Sequence, residues 1–238
     1  QNLVYLPTLM QEKAIEKWSA FLLSRADNEI FLMKGYAGTG KSSLVGALVQ
    51  TLMQLKQNVV LLALTGRAAK VMSLYAQAPA YTIHKHIYRQ KSVGGDGFGQ
   101  FSLAPNKDRD TLYVVDEVSL IGIDSGQQQS TSLFGSGNLL EDLITYVRAG
   151  AGCRLIMIGD AAQLPPIGLE ASPALSQDYM KMMGGVCFAE LTTVVRQQQE
   201  SGILYNATLI RQLIGEMEYG PDMIDLQDLQ LETAPFDD

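Results

Sequence analysis

Cysteine is scarce in this sequence: Cys153 and Cys187 are the only two among 238 residues. They lie far apart, so they form neither a disulfide framework nor a Cys-x-x-Cys metal pair. Each sits in an apolar run, as a buried and inert thiol does. The pair fits a reducing, cytoplasmic compartment. Histidine is equally rare, with His84 and His86 alone, and no Cys or well-spaced second His completes a metal site around His84. No apolar run reaches the roughly 18 residues of a membrane-crossing helix. The start lacks a basic region followed by an apolar one, so no secretory leader is expected. The 22 glycines have no period and 47% of the residues are hydrophobic, which excludes collagen and disorder. A chain of this length buries a sizeable core without staples, as one large domain or two small ones.

Acidic residues are missing from one region. The net charge is −7, which taken alone argues against a nucleic-acid binder. Yet residues 30–95 contain no Asp or Glu. The same stretch holds Lys34, Lys41, Lys56, Arg67, Lys70, Lys85, Arg89 and Lys91, a formal charge of +8. Residues 212–238 are the reverse, with eight acids and no Lys or Arg. Such polarity is expected to draw polyanions to the cationic third.

Apolar periodicity predicts helices over 8–24, 41–55, 68–76 and 139–149. In the first, Leu9, Ala14, Ile15, Trp18 and Leu22 recur at helical spacing, with Thr8 as N-cap. Short apolar runs over 30–33, 59–64, 112–116, 155–158 and 186–191 read as buried strands. Strands alternating with helices indicate an α/β domain with a parallel sheet covered on both faces. Two stretches interrupt the pattern. Residues 92–110 are expected to hold a small inserted hairpin, and 122–137 a long exposed loop.

Gly35-Tyr36-Ala37-Gly38-Thr39-Gly40-Lys41-Ser42 matches G-x-x-x-x-G-K-[ST] between a predicted strand and a predicted helix. Glycines let the backbone wrap, so that successive N–H groups of Gly35, Gly38, Thr39 and Gly40 face phosphate oxygens, with Ser43 in the following first turn. The helix start adds its positive end. Lys41 is placed to reach β- and γ-phosphates and Ser42 to ligate Mg²⁺, so ATP and Mg²⁺ are the expected ligands. Asp116 and Glu117 end a predicted strand. Asp116 suits a Mg²⁺ site through water, and Glu117 suits polarisation of an attacking water. Gln163, in Gly159-Asp160-Ala161-Ala162-Gln163-Leu164-Pro165-Pro166, suits a γ-phosphate sensor. Arg196 has the planar fork that bridges phosphate oxygens.

Together these strings resemble the first motor domain of superfamily 1B DNA helicases, the RecD-like and Dda-like group. Thr8-x-x-Gln11 resembles the Q motif, which implies an adenine contact for Gln11. Gly35 to Ser42 is similar to motif I. Thr65-Gly66-Arg67-Ala68-Ala69-Lys70 resembles motif Ia, and Thr82-Ile83-His84-Lys85 resembles motif Ib. The resemblance implies that Thr65, Gly66, Arg67, Lys70, Thr82, His84 and Lys85 contact a nucleic-acid strand. Asp116-Glu117-Val118-Ser119 is similar to motif II, the Gly159–Pro166 string to motif III, and Glu190 to Gln197 to motif IV, whose arginine (Arg196 here) contacts the γ-phosphate.

This likeness spans about 8–211 and implies a RecA-like P-loop NTPase fold for 1–211. The insertion near 87–110 stands where relatives carry a duplex-splitting hairpin. The implied partners are single-stranded DNA or a forked duplex, with 5′ to 3′ movement. Relatives complete the ATP site with a second RecA-like domain. None is read after Arg211, so 212–238 is expected to be an acidic linker toward it and the chain a piece of a longer one. A PhoH-like or other P-loop ATPase acting on RNA, and a nucleotide-binding interaction module, remain alternatives.

Overall fold

Six short strands supply the frame. The computed structural model describes residues 6–24, 29–90, 101–122, 134–166 and 168–195. The strands are β1 (Ile30–Gly35), β2 (Asn58–Ala63), β3 (Ala80–Thr82), β6 (Thr111–Asp116), β7 (Arg154–Gly159) and β8 (Val186–Leu191). They form one sheet in the order β3-β2-β6-β7-β1-β8, every pairing parallel. A central parallel strand is buried on both faces, so its side chains are apolar without alternation. Phe31, Leu32 and Met33 of β1 and Val114 and Val115 of β6 are all fully buried.

The two faces carry separate cores. One takes Ala14, Trp18 and Phe21 of α1 (Leu9–Leu23), Leu44, Val45 and Val49 of α2 (Lys41–Gln54) and Met72 of α3 (Gly66–Ala76). The other takes Ile83 and Ile87 of α4 (Ile83–Ile87), Leu140, Leu143 and Val147 of α5 (Leu139–Ala149) and Met180 of α6 (Gln177–Met183). Helices thus cover both faces, and the fold is the expected α/β, RecA-like class.

Local signals explain several boundaries. Thr8 caps α1 reciprocally: its hydroxyl accepts the Gln11 N–H and its own N–H donates to the Gln11 side chain, a capping box. Asn138 caps α5 through the Glu141 N–H. Leu9, expected in the apolar stripe of α1, is 67% exposed instead, whereas its neighbour Met10 packs against the core. The helix expected from Ala68 begins at Gly66, with Thr65 as its cap.

Among the described residues, β3, α4 and α6 are additional to the expected set, as are the short helical turns Val118–Leu120 and Pro173–Leu175. The hairpin pairs β4 (Tyr88–Gln90) with β5 (Phe101–Leu103) in antiparallel register, so its first strand lies before residue 92 rather than after it. The segment between its strands, 91–100, is outside the described residues, as is most of the expected loop, 123–133. Phe134, just after that loop, stacks on Phe101 with ring centroids 4.6 Å apart. Both cysteines are only partly buried, and burial raises both thiols above their ordinary range. Among the described residues, no helix is long and apolar enough to cross a membrane.

The chain divides into two units, Gln1–Val194 and Val195–Asp238. Every element named above belongs to the first. The acidic end at 212–238 lies outside the described residues.

Candidate nucleotide and strand site

All six main strands are parallel, so their C-terminal ends share one edge of the sheet. Gly35, Ala63, Thr82, Asp116, Gly159 and Leu191 close the strands there. The strings at Gly35–Ser42, Thr65–Lys70, Thr82–Lys85, Asp116–Ser119 and Gly159–Pro166 begin at or just after one of these residues, whereas Thr8–Gln11 precedes β1 and Glu190 lies within β8. Open α/β sheets bind ligands along this edge.

The phosphate loop leaves β1 and enters α2. Gly38 and Gly40 both take the left-handed backbone, φ 79° and 81°, which a side chain would resist. Gly40 is the N-cap of α2, and no side chain caps the helix. Its first N–H groups and positive dipole end therefore face the loop. Ser42 and Ser43 are exposed in this first turn. Lys41 folds back over the loop: its Nζ donates to the carbonyls of Gly35 and, at 2.8 Å, Tyr36. It also lies 3.5 Å from Oδ2 of Asp160, a carboxylate that is 3% exposed. Anionic oxygens in the loop would replace the carbonyl contacts with charge-assisted ones.

Gln11 lies one step behind this loop. Its amide is 1% exposed. Nε2 donates to the Thr39 carbonyl at 3.0 Å, and Oε1 accepts the Thr8 N–H. In this arrangement Gln11 ties the start of α1 to the loop backbone. The Thr39 hydroxyl in turn donates to Tyr36 O at 2.8 Å.

Asp116 and Glu117 stand at the end of β6. Oδ1 of Asp116 accepts the Glu117 N–H at 2.8 Å, and Oδ2 accepts the Tyr75 hydroxyl at 2.6 Å. Glu117 has a left-handed backbone, φ 56°, uncommon for a residue other than glycine. Its carboxyl is raised above the ordinary range by burial and then by the Asp116 charge, while Arg67 pulls it down. Arg67 thus lies within electrostatic reach of the water-activating candidate. Ser119, buried in the short helical turn Val118–Leu120, donates to Oε1 of Gln163 at 3.0 Å. This bond links the end of β6 to the string after β7. Arg196 lies outside the described residues.

The strand candidates gather at the ends of β2 and β3. Thr65 and Thr82 are the N-caps of α3 and α4, accepting the N–H groups of Ala68 and Lys85. A capping hydroxyl keeps its own proton to donate. Gly66 has open space where a Cβ would be. Arg67, Lys70 and Lys85 are exposed. His84 differs from them: its ring packs edge-on to Phe134 at 5.3 Å, and burial lowers its pKa, so it is set up as a neutral, packed ring. The acid-free third is not one surface, because Lys56 lies between α2 and β2, at the opposite edge.

Sequence reading missed Tyr75 and the partners of Gln11. Tyr75 falls on a helix with nothing nearby in sequence to mark it, and its contact with Asp116 spans 41 residues.

A looped backbone on a helix start, with a lysine, a strand-end carboxylate pair and a parallel sheet, defines a P-loop NTPase domain. A family model described as "AAA domain" (AAA_30) matches residues 11–212. The chain belongs to this family. It is 28% identical over 162 residues to the ATP-dependent RecD2 DNA helicase of Deinococcus radiodurans, covering 68% of this chain and 20% of that protein. It is 27% identical over 200 residues to the protein MJ1519 of Methanocaldococcus jannaschii, covering 78% of this chain and 15% of that protein. The chain therefore spans a fifth or less of the length of these curated relatives. Among solved structures, the Pif1 helicase from Candida albicans shares the fold, with a TM-score of 0.53 at 20% identity over 86% of this chain and 44% of that one.

Proposed function

We propose that this chain is the first motor domain of an ATP-dependent DNA helicase of superfamily 1B. It would hydrolyse ATP to move along single-stranded DNA, 5′ to 3′, and to open forked duplex once a second RecA-like domain completes the site. The observation that supports this most is the shared edge. Lys41, Ser42, Asp116 and Glu117 stand on it beside the exposed cations of α3 and α4.

The reaction is phosphoryl transfer to water. Glu117 orients the attacking water and takes its proton, while Lys41 offsets charge on the transferring phosphoryl oxygens. Gly35, Gly38, Thr39, Gly40 and Ser43 contribute the loop and helix start that receive the phosphates. Gln11 keeps that loop in place and completes the adenine side. The donor set suits a hard cation, since Ser42 brings an exposed hydroxyl and Asp116 a fixed carboxylate. Mg²⁺ held by these two would supply further neutralisation of the β- and γ-oxygens. Gln163, tied to Ser119, and Arg196 sense the γ-phosphate and pass its loss to Thr65, Gly66, Arg67, Lys70, Thr82, His84 and Lys85 on the strand. The hairpin near 87–110 splits the duplex, and 212–238 leads toward the second domain. The two free cysteines suit a cytoplasmic setting.

The test is direct. Hydrolysis of MgATP by the chain is measured alone, with a single-stranded oligodeoxynucleotide and with an oligoribonucleotide. Weak turnover stimulated by DNA is expected. Stimulation by RNA alone would favour an RNA-directed P-loop ATPase. Nucleotide binding without turnover, even when the second domain is present, would favour a binding module.

A further inference from the structure

Two elements meet at the Asp116 carboxylate, and a third packs against the residue that reaches it. Tyr75 lies in the last turn of α3 and reaches across to β6, where its hydroxyl donates to Oδ2 of Asp116 at 2.6 Å. The other oxygen, Oδ1, accepts the Glu117 N–H at 2.8 Å. Each oxygen thus has one fixed donor and keeps lone-pair capacity for another.

The third element is α2. A Cβ on Gly46 would lie 2.6 Å from the Tyr75 carbonyl oxygen and 3.6 Å from its ring. Backbone cannot yield at that distance, so only glycine lets α2 and α3 meet here. The helix that begins with Lys41 and Ser42 is therefore seated against the residue that holds Asp116.

We propose that Tyr75 is a positioning residue for the metal-holding carboxylate: its O–H fixes the orientation in which Asp116 meets a metal-bound water, and Gly46 provides the close packing that lets Tyr75 reach it. The proposal rests on the phosphate-site reading above. Groups that orient a metal's ligands tune its affinity strongly, whereas a tyrosine that merely filled space would affect stability alone.

The test uses Tyr75→Phe and Gly46→Ala in this chain. A fluorescent ADP analogue is bound in EDTA and across a Mg²⁺ series, with thermal unfolding alongside. For Tyr75→Phe, affinity in EDTA is expected within about twofold of the unsubstituted chain, while the Mg²⁺ needed for half-maximal tightening rises about tenfold. Gly46→Ala is expected to raise the Mg²⁺ requirement similarly and to lower the unfolding midpoint as well. An unchanged Mg²⁺ requirement in both variants overturns the assignment. So does a loss of affinity that is equal with and without Mg²⁺. No nucleotide binding by the unsubstituted chain would overturn the phosphate-site reading itself, and this assignment with it.

Discussion

Nζ of Lys41 stands 3.5 Å from Oδ2 of Asp160, and that carboxylate is almost fully buried. The lysine is thus the counter-charge of an acid with little access to water, as well as the candidate phosphate ligand. Removing one partner of such a pair leaves an uncompensated buried charge. Lys41→Ala is expected to abolish ATP hydrolysis and to destabilise the fold by about 3 kcal/mol. Adding Asp160→Asn should recover most of that stability without restoring turnover. Thermal unfolding and ATPase assays on the single and double variants separate the two roles. Retained turnover in Lys41→Ala would contradict the phosphate role.

Glu117 gives a pH prediction. Its carboxyl is raised by burial and by Asp116, and Arg67 opposes the shift. A base must be unprotonated to take a proton from water, so turnover falls as pH drops through this pKa. The acid limb of the rate profile is expected above the usual carboxylate range of about 4.3. Arg67→Ala removes the opposing charge and should move the limb to higher pH. Stability runs the opposite way with pH. A carboxyl raised on folding favours the fold below its unfolded pKa, and this contribution is lost as pH rises through the folded pKa. Glu117→Gln should therefore unfold at a higher temperature than the parent at neutral pH, with the difference vanishing in acid.

The line between what could and could not be read from sequence follows contact range. The phosphate loop is one contiguous string bounded by a strand and a helix, and it lies where expected. The helix at Leu139–Ala149 and the strand at Val186–Leu191 keep their expected bounds, because long apolar periods and caps are local. The strand Ala80–Thr82 and the helices Ile83–Ile87 and Gln177–Met183 are too short for a period to register. Side-chain roles are less legible still. Thr65 and Thr82 read as strand contacts, yet their oxygens also cap helices. Gln11 is legible as a motif residue, but its contact with the Thr39 carbonyl exists only once α1 has docked.

Ser119 tests the connection between the two carboxylate-bearing strand ends. Its hydroxyl is buried and holds Gln163 Oε1 at 3.0 Å. Ser119→Ala removes one neutral hydrogen bond, a stability loss of about 1 kcal/mol, without touching Lys41 or Asp116. Affinity for a fluorescent ADP analogue with Mg²⁺ is expected within about twofold of the parent. Stimulation of ATPase by single-stranded DNA should fall severalfold. Equal stimulation in parent and variant would show that Gln163 does not need this anchor.

The strand site predicts a salt dependence that can be counted. Arg67, Lys70 and Lys85 are exposed on α3 and α4, whereas His84 is packed and its pKa is lowered by burial. Each phosphate contact by a cation on a single strand contributes about −0.7 to the slope of log affinity against log salt. Three such contacts give a slope near −2 for the parent. Arg67→Ala should weaken binding across all sequences alike and flatten the slope by about 0.7. His84→Ala should leave the slope unchanged, because a neutral ring releases no counterion. Fluorescence anisotropy of a labelled oligodeoxythymidine across a salt series measures all three. An affinity that did not vary with salt would remove the electrostatic basis of the strand site, whatever the nucleotide pocket binds.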